Sequence, residues 1–414
     1  MLMDKKGAET VLDFSFSEDQ ELFRANLREF CQSKVAPSLK EMEQKKEIPR
    51  QLLSDMADIG LLAMSVSPEY GGGGLDAVMA GIAAEELARA DVSGAIPAFF
   101  LIHNSWSYLV DKYGTKKLKD ELLPRIRKGE IFLGIASTES DMGSDLAAMK
   151  TRLTRDGDGY LLNGEKCYIS GVREAGVWGG GFVTLAMTTP ELGTRGMTLF
   201  YLPLKGVDGI TTTFLEEMGR DGISWGNMHI DNVRIPRHYV IGQENKGFYI
   251  VHEGYEFARC LVALVCVGAA SKSLENAMTY MKSRKTFGSP IASHEGLQFP
   301  LAEDYIKIEA ARLLAYKALW MYQGEQKAGR FHRFEVTKAI AMAKAVAPTW
   351  AFEAINDAMQ WQGAFGYSKE CPEQKALRGI RSFSFAEGTV EIMKLIVARE
   401  LLGREYIAHS KKSD

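Results

Sequence analysis

Apolar residues recur at helical spacing through the first third of the chain. Those between Leu22 and Phe30 fall on one helical face, and Ser17 to Gln20 carry the S-x-x-Q pattern of a capping box directly before them. Helical patterns return over residues 77–90 and 109–128. Four consecutive glycines at 71–74 predict a loop, because glycine is costly inside a helix. The pattern therefore predicts a helical N-terminal region.

The periodicity changes from helical to alternating near Phe132. Residues 151–154 alternate as a strand does, and residues 156–159, Asp-Gly-Asp-Gly, are a strong turn signal. Further short strands are predicted at residues 160–163, 166–170, 197–202 and 228–233. Short strands separated by glycine turns are typical of a small β-barrel or β-sandwich.

From about Gly247 the pattern becomes helical again and stays so. Pro290 and Pro300 are predicted to interrupt it, and Pro348 to kink a long helix. The long helices predicted here span residues 256–284, 302–322, 334–362 and 387–402. The expected fold class is an α+β multidomain protein, with a helical domain at 12–131, a β-barrel or sandwich domain at 132–243 and a helical bundle at 244–408.

Length and charge agree with this organisation. The chain has 414 residues, more than one compact core usually holds, so two or three structural units are expected. Its hydrophobic content of 46% and charged content of 25% are ordinary for a soluble globular protein. The formal net charge is -3, and Lys and Arg are scattered. A nucleic-acid partner is therefore not expected, because it requires a concentrated basic face.

The cysteines and the most apolar run indicate a cellular setting. The five cysteines are widely spaced and form no CxxC pair, so a zinc site and a disulfide framework are not expected and a reducing compartment fits. Residues 1–10 are polar and lack the apolar stretch of a signal peptide. Residues 261–270 are too short a run to cross a membrane. We expect a cytoplasmic protein with a buried helix at this run, no metal and no membrane contact.

Three short segments contain residue types that bind anions or transfer protons, although the sequence has no dinucleotide fingerprint and no Walker motif. Residues 138–145 either present backbone N–H groups to a flat ring or an anion, or form an ordinary domain junction. Residues 284–288 offer a fork for a pyrophosphate, or basic residues that suit a helix C-terminus. Glu387, beside apolar Phe383 and Phe385, is either a general base or an acid that favours a helix N-terminus.

Taken together, these segments resemble the acyl-CoA dehydrogenase family, from about Phe14 to Arg404. The motifs that carry the resemblance are Glu85-Glu86-Leu87, Thr138-Glu139 with Gly143-Ser144-Asp145, Asn163-Gly164-Glu165-Lys166, residues 284–288 with Pro290-Ile291, and Glu387-Gly388-Thr389 with residues 396–400. The resemblance implies an N-terminal helical domain, a central β-domain and a C-terminal four-helix bundle. It also implies FAD, an acyl-CoA substrate, a homotetramer, and electron-transferring flavoprotein as the electron acceptor.

The resemblance implies roles for individual residues. Glu387 is the base that takes the α-proton, and Arg284, Thr286 and Phe287 reach the FAD pyrophosphate of a neighbouring subunit. The other implied cofactor contacts are Ile135, Ser137, Thr138, Tyr168, Ser170, His294, Glu295, Gln360, Gly363, Thr389 and Glu391. The implied substrate contacts are Ser144, Glu256, Arg259 and Gly388.

Several of these positions depart from the family pattern. Ser170 replaces a usual Thr near flavin N5, Tyr168 replaces a usual Trp, and Glu295 stands where Gln is usual. Ala258 occupies a position where some relatives carry a catalytic Glu, so that alternative base is absent.

The residues around Asp91 leave the substrate open. Asp91 is either a cap for the next helix or a second acid/base that faces the acyl group. Residues 90–94 and 176–181 are similar to relatives that act on alicyclic thioesters such as cyclohex-1-ene-1-carboxyl-CoA, where Asp91 would serve a 1,4-elimination. Glu387 alone would give α,β-desaturation of a straight- or branched-chain thioester. The rival functions are a flavin oxidase and a catalytically silent acyl-CoA-binding protein.

Overall fold

The computed structural model describes residues 14–74 and 76–406, so the ends of the predicted first and last domains, at 12–13 and 407–408, and the polar residues 1–10 lie outside the described residues. The helices of the first third are α1 (Glu18–Phe30), α2 (Ala36–Lys45), α3 (Arg50–Asp58), α4 (Ala77–Ala90), α5 (Ala95–Tyr113) and α6 (Lys116–Arg127). The capping box is confirmed, since Ser17 Oγ accepts from the Gln20 N–H and Gln20 Oε1 accepts from the Ser17 N–H.

The central segment folds into one curled sheet of seven strands, with a short helix inserted. Its elements are β1 (Phe132–Ala136), β2 (Arg152–Asp156), β3 (Gly159–Ser170), α7 (Val172–Trp178), β4 (Gly180–Met187), β5 (Met197–Pro203), β6 (Ile210–Leu215) and β7 (Trp225–Pro236). Along the sheet the order is β1-β4-β2-β3-β7-β6, and β5 pairs with β4. Between Lys166 and Ile169 the register of β3 against β7 shifts, and Tyr168 has a φ of 60° there. Such a bulge redirects a side chain, in this case that of Tyr168.

The last third is helical, as predicted. Its elements are α8 (Gly247–Ser283), β8 (Lys285–Thr286), β9 (Ser289–Pro290), α9 (Glu295–Ala328), α10 (Arg333–Trp361), α11 (Pro372–Arg381) and α12 (Val390–Leu402). The predicted break at Pro300 is wrong, because α9 continues through it. Pro348 lies within one long helix, α10, as the sequence predicts. The three-domain order of helices, sheet and helices is the fold class that the sequence predicts.

Helix α8 is the central helix of the molecule. By length and composition it is apolar enough to cross a membrane, which the sequence prediction for residues 261–270 did not anticipate. However, 94% of its most apolar window is buried inside the protein, against α4, α5, α9 and α10. Its hydrophobicity is therefore that of a core helix, and its N-terminal half forms one wall of the cavity described below.

Candidate active site

A cavity of about 510 Å³ lies where the three domains meet. Its walls come from α5, the strands β1, β3 and β7, helix α8, and the segment 382–389 that precedes α12. It brings together the predicted residues Ile135, Ser137, Thr138, Ser144, Tyr168, Ser170, Arg259, Glu387, Gly388 and Thr389. These residues are far apart in the sequence, so their convergence is the first independent support for a common site.

Glu387 supplies a carboxylate with a free oxygen to this cavity. The residue is half-buried as a whole, but its Oε2 is fully buried and has no hydrogen-bond partner among the described residues. Burial raises the pKa of Glu387 to about 7, while the charges of Arg259 and Lys344 oppose the shift. A carboxyl group that titrates near neutral pH and has a free oxygen is suited to accept a proton.

Two cations hold the backbone around this carboxylate. Glu387 has a φ of 58° and Gly388 a φ of 97°, both in the left-handed region. Arg259 Nε donates to the Glu387 carbonyl oxygen at 2.8 Å, and Lys344 Nζ donates to the Gly388 carbonyl oxygen. Lys344 is fully buried, and burial lowers its pKa to about 8. The left-handed turn that presents the carboxylate is therefore fixed from two sides.

Gly388 is required in this turn for two reasons. Its φ is one that side chains rarely adopt, and a Cβ would lie 3.1 Å from Met393 Cε and 3.4 Å from Arg259 Nη2. Thr389 then caps α12, because its Oγ1 accepts from the Ile392 N–H at 3.2 Å. Glu387 thus precedes the helix rather than occupying its first turn, which weakens the alternative that it serves only the helix dipole.

Asp91 is not brought to the cavity. Its Oδ1 accepts from the Ser93 N–H at 3.1 Å and from Ser93 Oγ at 2.6 Å, and its Oδ2 accepts from the Ile96 N–H at 2.8 Å. The residue is 2% exposed and does not contribute to the lining. The geometry therefore supports the structural alternative, in which Asp91 organises the turn into α5.

The remaining predicted residues also lie outside the cavity lining. Glu256 is buried, accepting from Thr337 Oγ1 at 2.7 Å and from Arg333. Arg284, Thr286 and Phe287 are at the β8–β9 hairpin, where Phe287 is 96% exposed. The others stand at helix ends: His294 and Glu295 at the start of α9, Gln360 and Gly363 at the end of α10, and Glu391 at the start of α12. The substrate role of Glu256 and the cofactor roles of the others stay predictions, since the resemblance gives part of this set to a neighbouring subunit.

Comparison with known proteins agrees with the site. The N-terminal, middle and C-terminal domain models of acyl-CoA dehydrogenase match residues 17–130, 134–233 and 245–402. Acryloyl-CoA reductase (NADH) of Anaerotignum propionicum is 33% identical, over 98% of this chain and 100% of its own. An acyl-CoA dehydrogenase of Bacillus subtilis (strain 168) is 32% identical, over 94% and 99%. A solved glutaryl-coenzyme A dehydrogenase–glutaryl-CoA complex has a TM-score of 0.87 at 30% identity, over 94% and 97%.

The chain belongs to the acyl-CoA dehydrogenase family. Members of this family are FAD-dependent oxidoreductases, and so is this protein.

The part of the cavity wall that carries Tyr168 and Trp225 fits a flat flavin ring. Tyr168 and Trp225 stack loosely there, with ring centroids 5.2 Å apart and an interplanar angle of 31°. Tyr168 is 55% exposed, which leaves aromatic surface uncovered on a wall that also carries Thr138. Uncovered aromatic faces beside hydroxyl groups are the surfaces on which a planar ring stacks and makes its edge hydrogen bonds. Trp225 was missed by the sequence reasoning, although an aromatic residue at a strand start was its visible signal.

An ion pair that the sequence reasoning also missed contributes one residue, Arg220, to the cavity wall. Arg220 is 8% exposed and donates to Glu217 Oε2 from Nη2 at 2.7 Å and from Nε at 3.1 Å. Its Nη2 also approaches Ser170 Oγ at 3.4 Å. Burial raises the pKa of Glu217, while the Arg220 guanidinium opposes that shift. The pair places the charged head group of Arg220 in a largely apolar chamber.

Proposed function

We propose that the protein oxidises the acyl part of a coenzyme A thioester, with Glu387 as the base that removes the α-proton. The single observation that carries the proposal is the buried, unpartnered Oε2 of Glu387 in a cavity large enough for an acyl group. A buried lone pair without a donor costs free energy, roughly 1–3 kcal/mol, so its retention argues for use by a ligand.

The chain also offers a donor for the charge that develops when the proton leaves. Among the described residues, the backbone N–H of Glu387 donates no hydrogen bond. We propose that it donates to the thioester oxygen, where negative charge accumulates as the α-proton is removed. Arg259 donates to the Glu387 carbonyl oxygen, in the next peptide, and so fixes the left-handed turn that carries this N–H. When bound, FAD accepts the β-hydride, and Thr138, Tyr168 and Ser170 are the residues proposed to hold its ring.

The end of the cavity proposed for the acyl group is apolar. Ala98, Leu101, Val262 and Phe383 contribute apolar surface to it. A dry site strengthens the hydrogen bond to the thioester oxygen and keeps the pKa of Glu387 raised.

The acyl group itself is proposed only by class. An alicyclic group such as cyclohex-1-ene-1-carboxyl is supported by the similarity of residues 90–94 to relatives that act on such thioesters. A 1,4-elimination through Asp91 lacks support, because both Asp91 oxygens already accept hydrogen bonds. Ordinary α,β-elimination through Glu387 suits alicyclic, straight-chain and branched thioesters alike.

The reverse reaction is the second candidate, since the A. propionicum relative is named a reductase and a carboxyl group that titrates near pH 7 also serves as a proton donor.

We further propose a homotetramer in the cytoplasm that passes its electrons to an electron-transferring flavoprotein. Exposed apolar side chains on the last third of the chain support assembly, because monomers rarely leave such surface uncovered. They include Phe287, Leu313, Trp320, Leu395 and Leu401. Sedimentation of the FAD-loaded protein tests the assembly.

Anaerobic mixing of the FAD-loaded protein with straight-chain, branched and alicyclic acyl-CoAs tests the proposed activity. Loss of the flavin absorbance on mixing is the expected result. Fast recovery of that absorbance in air without an acceptor would identify an oxidase instead. Failure of every thioester to reduce the flavin would contradict the proposal and indicate a silent acyl-CoA-binding protein.

A further inference from the structure

The Arg220–Glu217 ion pair has no role in proton removal, yet Arg220 lines the same cavity and Glu217 lies directly behind it as its ion-pair partner. It lies in the connection between β6 and β7, and Arg220 has a φ of 61°. A left-handed conformation costs a residue with a Cβ about 1 kcal/mol or more. A buried ion pair returns little net stability, because desolvation offsets the Coulomb attraction. Stability of the fold therefore does not explain why Arg220 is held there.

Arg220 lies on the cavity wall between Ser170 and the apolar residues around Phe383. A Cβ built on Gly94 would lie 3.8 Å from Arg220 Cγ and 3.7 Å from Phe383 Cε2, so the aliphatic part of Arg220 and the Phe383 ring flank one short stretch of backbone. Arg220, Phe383 and Ala98 all line the chamber. Arg220 thus brings hydrogen-bond donors to a part of the cavity that also has apolar walls.

The pair is incompletely satisfied. Nε and Nη2 of Arg220 donate to Glu217, whereas Nη1 donates no hydrogen bond within the described part of the chain. Glu217 Oε1 is buried and likewise has no partner among the described residues. An arginine with two unused N–H groups on a cavity wall is a site for an acceptor oxygen.

We propose that the Arg220–Glu217 pair selects acyl groups that carry a neutral oxygen, a hydroxyl or a keto group, beyond the β-carbon. A neutral acceptor can take the free Nη1 donors, while the Glu217 carboxylate balances the Arg220 charge and repels a second carboxylate. This inference rests on the proposed function, because it concerns the substrate of the same cavity.

The test compares matched thioesters at two chain lengths with the FAD-loaded enzyme. The probes are butyryl-, ω-hydroxybutyryl- and succinyl-CoA, and hexanoyl-, ω-hydroxyhexanoyl- and adipoyl-CoA. For the wild type we expect kcat/KM to be highest for a hydroxylated probe and lowest for the carboxylated one of that length. One hydrogen bond to a charged donor corresponds to a preference of about 10- to 100-fold over the unsubstituted probe. Arg220→Met should bring this ratio close to one, chiefly through KM.

Two further variants keep the test decisive. Glu217→Gln removes the repelling charge and leaves Arg220 in place, so kcat/KM for the carboxylated probe should rise about tenfold relative to the unsubstituted one. Arg234→Met is the matched control, since Arg234 also pairs with carboxylates, Asp156 and Asp158, but its side chain is 58% exposed on β7. It should leave every ratio as in the wild type.

The outcomes separate this inference from the proposed function. If unsubstituted thioesters reduce the flavin but the wild type shows no preference for hydroxylated probes at either length, the selectivity proposal is overturned and the dehydrogenase proposal stands. A preference that survives in Arg220→Met, or a Glu217→Gln variant that rejects carboxylated probes more strongly than the wild type, overturns it as well. If no thioester reduces the flavin, the proposed function fails first.

Discussion

Two carboxylates that each precede a helix, the buried Asp91 before α5 and the half-buried Glu387 before α12, have opposite hydrogen-bond environments. Asp91 is 2% exposed; its Oδ1 accepts hydrogen bonds from Ser93 and its Oδ2 accepts one from Ile96. Glu387 also has a buried oxygen, but Oε2 has no partner among the described residues. Burial raises the pKa of both groups; hydrogen bonds counteract that shift at Asp91, whereas two nearby cations counteract it at Glu387.

The difference separates a carboxylate that organises a turn from one that is available to a ligand. A carboxylate whose two oxygens already accept hydrogen bonds has no lone pair directed at a substrate. Moving it would break the turn that those hydrogen bonds hold. A buried carboxylate oxygen without a hydrogen-bond partner destabilises the fold until a ligand supplies a proton or a hydrogen-bond donor. The sequence left each of Asp91 and Glu387 with a structural alternative and a proton-transfer alternative, and the partners of their oxygens distinguish the two residues.

Replacing Glu387 should have the largest effect. Glu387→Gln keeps the shape of the side chain but removes the proton acceptor, so kcat for flavin reduction should fall about 10²–10⁴-fold. Stopped-flow absorbance under anaerobic conditions measures it. FAD binding, measured by the flavin spectrum of the purified variant, should persist. A Glu387→Gln variant that reduces FAD at near the wild-type rate would contradict the role of Glu387 as the base.

Replacing Lys344 should have the next largest effect, although Lys344 does not line the cavity. Lys344→Met removes the donor to the Gly388 carbonyl oxygen and a cation that lowers the pKa of Glu387. We expect kcat/KM at neutral pH to fall about tenfold and its pH midpoint to move upward. Lys338→Met, on the same helix α10, is the control. An unchanged midpoint in Lys344→Met would contradict electrostatic positioning by Lys344.

The wild-type pH profile should report Glu387 directly. Its pKa is raised to about 7, so the carboxyl group is protonated and inactive as a base below that pH and ionised above it. Flavin reduction should therefore increase with pH through a midpoint near 7 and then level off. A profile already level from pH 5 upward would show that the base titrates with an ordinary carboxyl pKa.

Asp91 should affect stability rather than chemistry. Asp91→Ala leaves the N–H groups of Ser93 and Ile96 without their acceptor, so the free energy of unfolding should fall by roughly 1–3 kcal/mol. Urea unfolding of the FAD-free chain measures this, and kcat of the folded fraction should stay within about threefold of the wild type. A stable variant with a large loss of kcat would reverse the comparison and restore Asp91 as a second acid.

Local patterns predicted much of the fold, including the cap at Ser17 and the strands after Thr151. Neighbouring residues left the role of Glu387 open, and the resemblance to the family is what implied a base there. The break predicted at Pro300 was wrong, because tertiary packing keeps α9 helical on both sides of this proline.

The remaining features depend on contacts between distant residues. Lys344 bonds a carbonyl 44 residues away, and its only local signal is a charge between alanines in an apolar helix. Arg220 meets Ser170 across 50 residues. No spacing rule links such positions. The hydrogen bond from Lys344 to the Gly388 carbonyl oxygen and the position of Arg220 on the cavity wall therefore became visible only in the folded chain.

Exchange of the α-proton tests the central claim most directly. The probe is an acyl-CoA in which sulfur replaces the β-carbon, so that no β-hydride can leave and only proton removal is observed. In D2O the wild type and Asp91→Asn should both replace the α-hydrogens with deuterium, followed by NMR, while Glu387→Gln should not. Equal exchange by Glu387→Gln and the wild type would contradict the assignment of Glu387 as the base.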